Sequence, residues 1–459
     1  MSAARWWIGT ALASAAVGVS AAWSPVVGLS LAIAPVLLVF IATSARARLV
    51  IVLVGGLVVF QSQNLGGLKY AYLGIALLCV GASGMRLART KDHSLQAFRP
   101  LLGASVGLVA LIGASGLIAR SNGVTWDNWV RDALPYVLLA VLPVVGLDAG
   151  ADLSTRTTEW LIAALGLIGA AGMAIDWLHR RDVSSLGVGR LVLSSTPLVA
   201  LGFALAITRA ALGPHRLRWL TLAVVIVTLM LTTGSRANIV IFVAVFGVVG
   251  ASRKARVSLV RAGAAIAITV ATVAIALPWL VLRVSNDPQF LSTRISQALL
   301  VLNGGGSADL SYQAREQAYS LANQEFHAHF WWGTGPGFLY PNGAFTLDTP
   351  ALTLAKWGLV GTCFLAAYLV TLALCFVRAR RAAGFGPTHT VARAWVIVMI
   401  AWLPFGTWLE DKGFALVVTL LAAAVVASAR ESARAAPELE SKDLAACHVA
   451  HGRDALLPA

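Results

Sequence analysis

Charge is what this chain lacks most. Only 12% of its 459 residues are Asp, Glu, Lys or Arg, while 58% are hydrophobic, a balance foreign to a water-soluble domain. Acids are the scarcer sign, 20 against 35 basic residues. Cysteine is sparse too. Cys79, Cys363 and Cys375 fall in apolar runs and Cys447 in the polar tail, with no pair at zinc or redox spacing, so neither a disulfide framework nor a structural metal is expected. No Asp-x-Asp and no His cluster of ligand spacing occurs in the segments expected to face outward. His327 and His329 stand two apart among aromatics, a setting for packing or hydrogen bonding rather than ligation. No internal repeat is evident.

What remains is hydrocarbon. A membrane-spanning helix needs roughly 20 mostly apolar residues, because in lipid the backbone must bond within its own segment. The sequence therefore predicts an all-α polytopic integral membrane protein of about 12–14 transmembrane helices. The first apolar run, after Arg5, has signal-peptide character, but Ser24-Pro25 leads at once into a second run, which favours a retained hairpin. Further runs lie at about 49–60, 66–85, 100–118, 133–148, 158–177, 190–208, 218–232, 237–251 and 262–282, then 351–377, 393–408 and 412–428.

The net charge of +15 does not point to nucleic acid, because the basic residues cluster between alternate apolar runs: Arg46 and Arg48, Arg86 to Arg99, Arg216 and Arg218, Arg253 to Arg256, Arg378 to Arg381. That is the positive-inside pattern, and it puts both termini in the cytoplasm. The resulting organisation is a transmembrane bundle over 1–282, a large extracytoplasmic loop over 283–350, C-terminal transmembrane helices over 351–429 and a disordered cytoplasmic tail over 430–459.

The large loop has internal order. Residues 289–302 place Phe290, Leu291, Ile295, Ala298, Leu299 and Leu302 on one helical face, suited to lying on the membrane surface. After a Gly-rich break, Asp309 or Ser311 can cap a helix whose Tyr312, Arg315, Tyr319 and Phe326 share a face. Then comes WWGTGPGFLYPNG, in which Gly333, Gly335 and Gly337 permit sharp turns whose freed amides can meet phosphate or sugar oxygens. Trp331, Trp332, Phe338 and Tyr340 suit the membrane interface, and aromatic faces can also stack on sugars. Arg236 stands between two apolar runs in LTTGSRANIVIF, where an arginine generally lines protein or water. With Lys69, Arg120, Arg131, Arg283, Arg294 and Arg315 it makes an outward surface rich in cations, suited to a diphosphate.

These segments resemble the O-antigen ligase and O-antigen polymerase superfamily of bacterial membrane glycosyltransferases. The likeness rests on LTTGSRANIVIF, on AREQAYSLANQEFHAHFWWGTGPGF, on LDTPALTLAKWGLVG with its paired Gly358 and Gly361, and on one large outward loop before the final three helices. It covers about the second half of the chain. The resemblance implies transfer of a glycan from a polyprenyl diphosphate carrier to an acceptor sugar hydroxyl, on a glycan or glycolipid, at the outer side of the cytoplasmic membrane, without metal or cofactor. It places Arg236 and Arg315 on the leaving diphosphate; the cationic surface and the Gly-rich loop themselves make Lys69, Arg120, Arg131, Gly333, Gly335, Gly337 and Tyr340 the candidates for binding substrate. Ligases of the family carry a His before an Asn at the end of the large loop; here Leu347 and Asp348 stand there. That departure favours a polymerase-like or divergent member and leaves Asp348 as either the base or the cap of the next helix.

Two other readings compete. A flippase or secondary transporter would show repeated halves and ionisable groups at mid-membrane depth. A transferase using a polyprenyl phosphate sugar would need an early acidic motif, for which Asp127 and Asp132 are the nearest candidates.

Overall fold

The computed structural model describes residues 37–59, 66–90, 93–178, 195–232, 237–251, 260–264, 266–268, 272, 310–341, 349–383, 387–403 and 408–454. Among them there is no strand. Besides a four-residue turn of helix at His93–Gln96 and a 3-10 turn at Trp408–Glu410, the helices are α1 (Ala45–Val59), α2 (Gly66–Arg89), α3 (Arg99–Ser121), α4 (Trp126–Gly150), α5 (Thr155–Leu178), α6 (Thr196–Leu212), α7 (Arg216–Thr232) and α8 (Ala237–Gly250). They are followed by α9 (Leu310–Ala328), α10 (Ala351–Ala383), α11 (Pro387–Trp402) and α12 (Lys412–Asp454). Six of the described helices are long and apolar enough to cross a membrane: α2, α3, α4, α5, α10 and α12. The apolar segments Thr196–Leu212 and Val240–Gly250 are shorter. The expected helix over 289–302, the runs before 37 and most of the run at 262–282 lie outside the described residues.

Local chemistry sets the helix starts. Thr125 caps α4, its hydroxyl accepting the Asn128 N–H at 3.4 Å, and Asp411 caps α12, accepting the Gly413 N–H at 2.8 Å. Pro100 and Pro197 occupy the first turns of α3 and α6, where a missing N–H costs no helical bond. At its other end α12 runs on to Asp454, past Arg430 where the sequence predicts order to stop. Its continuation over 431–454 holds six Ala, three Glu, two Arg and one Lys, good helix formers that extend an existing helix without a new nucleation cost, with Pro437 the residue there that removes a helical N–H.

α4 and α12 form the axis of the bundle. Of their most apolar windows 89% is buried, against 22–33% for α2, α3 and α10. Their close crossing depends on small residues: a Cβ on Gly146 would lie 2.1 Å from the Thr419 carbonyl oxygen, and one on Gly150 2.6 Å from that of Ala423. α6 fills the other side of the axis between α5, α7 and α11, while α3 packs on α4 and α10, and α9 lies on α10.

The bundle has two polar ends. Near the C-terminus of α4, the buried Arg48 and Asp148 pair at 2.5 Å, and Ser83 Oγ donates to the same carboxylate oxygen at 2.9 Å. Arg86 bridges on to Asp152 at 2.6 Å, which holds the Asp152 carboxyl below its ordinary range. Sixteen residues before Asp148 on α4, roughly 24 Å away along a helix rising 1.5 Å per residue, stands Asp132. Around it the Gly-rich loop is built.

Candidate functional site

The Gly-rich segment is spliced into a broken helix. Within α10, Gly358 takes φ 60° and ψ −170°, which interrupts the helical ladder. The carbonyls of Ala355 and Lys356 would otherwise accept from Leu359 and Val360 four residues on. Instead Thr334 N–H donates to Ala355 O and Gly335 N–H to Lys356 O, both at 2.9 Å. Leu359 N–H turns to Phe330 O at 2.8 Å and Val360 N–H to Trp331 O at 3.1 Å. Two helical bonds are thus replaced by four between loop and helix. The chains touch so closely that a Cβ on Gly333 would lie 2.3 Å from Lys356 O, and one on Gly358 2.4 Å from Gly333 N.

The loop then continues over α3 and α4. Asn122 Nδ2 donates to Thr334 O at 3.0 Å, and the Gly337 N–H donates to Asp132 Oδ2 at 2.6 Å. Gly333, Gly335 and Gly337 all have positive φ, 72°, 82° and 85°, as the sequence predicts for sharp turns. Their amides are another matter. Gly333 N–H donates to His329 O, Gly335 N–H to Lys356 O and Gly337 N–H to Asp132, so the donors expected to meet phosphate or sugar oxygens are already engaged inside the protein. These glycines shape and seat the loop.

Below it lies a buried ion cluster. Lys356 Nζ is 2.8 Å from Asp132 Oδ1 and 2.6 Å from Glu410 Oε1, and Tyr136 OH donates to the same Glu410 oxygen at 3.3 Å. Lys356 is fully enclosed and the two carboxylates are 10% exposed. One ammonium thus faces two carboxylates. Glu410 Oε2 is buried with no hydrogen-bond partner among the described residues. Loss of water around the Glu410 carboxyl, with the Lys356 charge opposing and the Asp132 charge adding, pushes its pKa up to about 7. The next residue, Asp411, is pushed to about 6, again mainly by burial.

Tyr340 is 1% exposed, enclosed with Ala318 and Ala322 of α9 and Leu352 and Ala355 of α10. Its ring meets Phe338 edge-on at 5.4 Å. Burial raises the pKa of its hydroxyl. Its face is occupied by the protein, unlike those of Trp331 and Trp332, which are 61% and 55% exposed. The expected stacking of sugar on Tyr340 therefore lacks an open ring, because Tyr340 anchors α9 instead.

The structure gathers some of the expected cations. Lys69 at the start of α2 and Arg131 on α4 act electrostatically on each other, and both act on Lys412 at the start of α12. Arg120 is exposed at the end of α3, two residues before the Asn122 that holds the loop. Arg315 is half-buried on α9, whose next turns carry Ala318 and Ala322 into the Tyr340 cluster. Arg236 and Asp348 lie outside the described residues; α7 and α8, which flank Arg236, end and begin at Thr232 and Ala237. Asp127 stays on the surface, accepting from Tyr70 OH at 3.4 Å.

Lys356, Glu410 and Lys412 are the residues that sequence reasoning missed. A lysine in the first turns of an apolar helix reads as a snorkelling end, and Glu410 as an ordinary loop acid. The available signal was the rarity of ionisable groups beside apolar runs in this chain. Among the described residues no group of three or more His, Cys, Asp or Glu is disposed to hold a metal. No family model matches the chain, and no curated protein matches it significantly.

Proposed function

We propose that this chain is a membrane glycosyltransferase that moves a glycan from a polyprenyl diphosphate carrier to an acceptor sugar hydroxyl at the Gly-rich end of its bundle. The observation that carries this reading is the gathering of Lys69, Arg131 and Lys412 within each other's field beside the seated loop. Asp132 and Asp411 act on Lys412 in the opposite sense, so the group is a mixed site with an excess of cations, to which a multiply charged anion adds a further favourable charge. A diphosphate on a lipid tail, delivered from the membrane, fits both the charge and the setting.

The reaction needs three acts. The bond between the anomeric carbon and the diphosphate oxygen breaks, a bond from that carbon to the acceptor oxygen forms, and the acceptor's proton passes to a carboxylate. Arg236 and Arg315, by the family resemblance, steady the departing diphosphate. Asp348 is the base that the sequence suggests. Glu410 is the one that the ion cluster adds, since a carboxyl titrating near 7 with an unpartnered oxygen is suited to taking a proton at neutral pH. The Gly-rich end faces outward in this reading, supported by Arg46, Arg48 and Arg86 at the opposite end.

Purified protein in nanodiscs, supplied with a polyprenyl diphosphate-linked oligosaccharide, is expected to yield a glycan one repeat longer or attached to a new acceptor, read by mass spectrometry. Transbilayer movement of the carrier in vesicles with no new glycosidic bond would instead make the chain a transporter.

A further inference from the structure

At the Arg48 end, a groove of about 650 Å³ opens between α5, the end of α6, the start of α7 and the middle of α12. It is amphipathic along its length. Arg156 and Arg218 line one part, exposed and without an ion pair among the described residues. Leu167 and Leu222 line another, beside Trp160 and Trp219, whose ring centroids are 5.7 Å apart. The other charges of the lining are already engaged: Arg209 donates to Glu159, and Glu431 accepts the Thr155 N–H at 3.0 Å.

Two free guanidinium groups match phosphate oxygens through paired N–H donors. Paired tryptophans suit the depth where headgroup meets acyl chain, and basic pockets between membrane helices characteristically take anionic headgroups. From Arg156 to Leu167 the groove follows α5 for eleven residues, roughly 17 Å at 1.5 Å per residue, long enough for a headgroup and the upper part of a chain. A soluble anion would use the arginines alone and leave the apolar trough without a role.

We propose that this groove binds a membrane phospholipid with an anionic headgroup, its phosphate bridged by Arg156 and Arg218 and an acyl chain laid along Leu167 and Leu222. The site is separate from the Gly-rich end and does not rest on the transferase reading.

The test is native mass spectrometry of the detergent-solubilised full chain with phosphatidylglycerol or phosphatidylcholine, alongside melting temperature in each lipid. Phosphatidylglycerol is expected to remain bound at higher collision energy and to raise the melting temperature more. In Arg156→Gln/Arg218→Gln its affinity should fall at least tenfold while melting in phosphatidylcholine stays unchanged. Equal retention of the two lipids by the parent protein would overturn the proposal, as would undiminished phosphatidylglycerol binding in the double variant. Displacement of the lipid by glycerol phosphate at matching concentration would also overturn it, since it would show a site for the headgroup alone. Should the double variant fail to fold, the exposed single substitution Arg156→Gln and the lipid comparison on the parent chain still decide.

Discussion

Lys356 Nζ lies 2.6 Å from Glu410 Oε1, joining the broken helix α10 to the turn that precedes α12. With Asp132 on the same ammonium at 2.8 Å, three elements far apart in sequence meet on one buried charge. Removing that charge strands two carboxylates away from water. Lys356→Met is therefore expected to destabilise the protein by about 3–5 kcal/mol. Adding Glu410→Gln should recover part of the loss, because one stranded carboxylate then becomes a neutral amide. Thermal unfolding in detergent of the two single variants and the pair checks this; strictly additive losses would mean that Lys356 and Glu410 do not share an interaction.

Gly337 supplies a test of loop seating. Its φ of 85° disfavours any side chain, and an added Cβ would lie 2.6 Å from the Asn128 carbonyl carbon and the Trp129 nitrogen. Gly337→Ala is expected to lift the loop from α4 and break its bond to Asp132 while the apolar bundle stays assembled. Limited proteolysis should then cut faster near 338–340, and transfer should fall at least tenfold through misplacement of the loop. Gly74→Ala is the control, since nothing lies within 4 Å of the added carbon there. It should leave both readouts unchanged.

Stability is expected to depend on pH through Glu410 and Asp411. Both carboxyls have folded-state values above their ordinary ones, about 7 against 4.5 and about 6 against 3.8. Between each pair of values the folded chain holds a proton that the unfolded chain has released, so stability falls as pH rises through that window and levels off above it. Melting temperature should therefore decline from pH 5 to 7 by several degrees, and Glu410→Gln should flatten the upper part of the decline. If Glu410 also takes the acceptor's proton, activity should run the opposite way, rising through pH 7 with its deprotonation. A melting profile that instead climbs toward pH 7 would contradict the burial of these groups.

Much of the scaffold was legible because lipid constrains sequence so tightly. The runs at 66–85, 100–118, 133–148 and 158–177 each became a helix, usually a few residues longer as capping residues such as Thr125 extended the start. The turns at Gly333, Gly335 and Gly337 were legible too, since three glycines so close together mark positive φ. Where the Gly335 and Gly337 amides donate was not, because that depends on the break at Gly358 and on α4 packing against the loop, long-range events that no local pattern encodes. The partnership of Asp132, Lys356 and Glu410 was hidden for the same reason. Residues 224 and 54 positions apart meet only once the helices have packed. Tyr340 shows the remaining limit: an interface aromatic and a buried anchor look the same in one dimension.

The cations at the Gly-rich end give the most direct test of the functional reading. Lys69, Arg131 and Lys412 sit on three different helices yet feel each other's charge, an arrangement that favours a bound anion. Arg131→Gln and Lys412→Gln are each expected to weaken binding of a polyprenyl diphosphate about tenfold, the ~1.4 kcal/mol that such a change represents, with little effect on melting in the absence of carrier. Arg315→Ala should act differently, lowering turnover more than carrier affinity, because stabilising a departing diphosphate acts on the transition state. Isothermal titration with carrier, set beside single-turnover transfer rates, separates the two classes. If all three variants lost only turnover, the cationic cluster would not be the carrier's binding site.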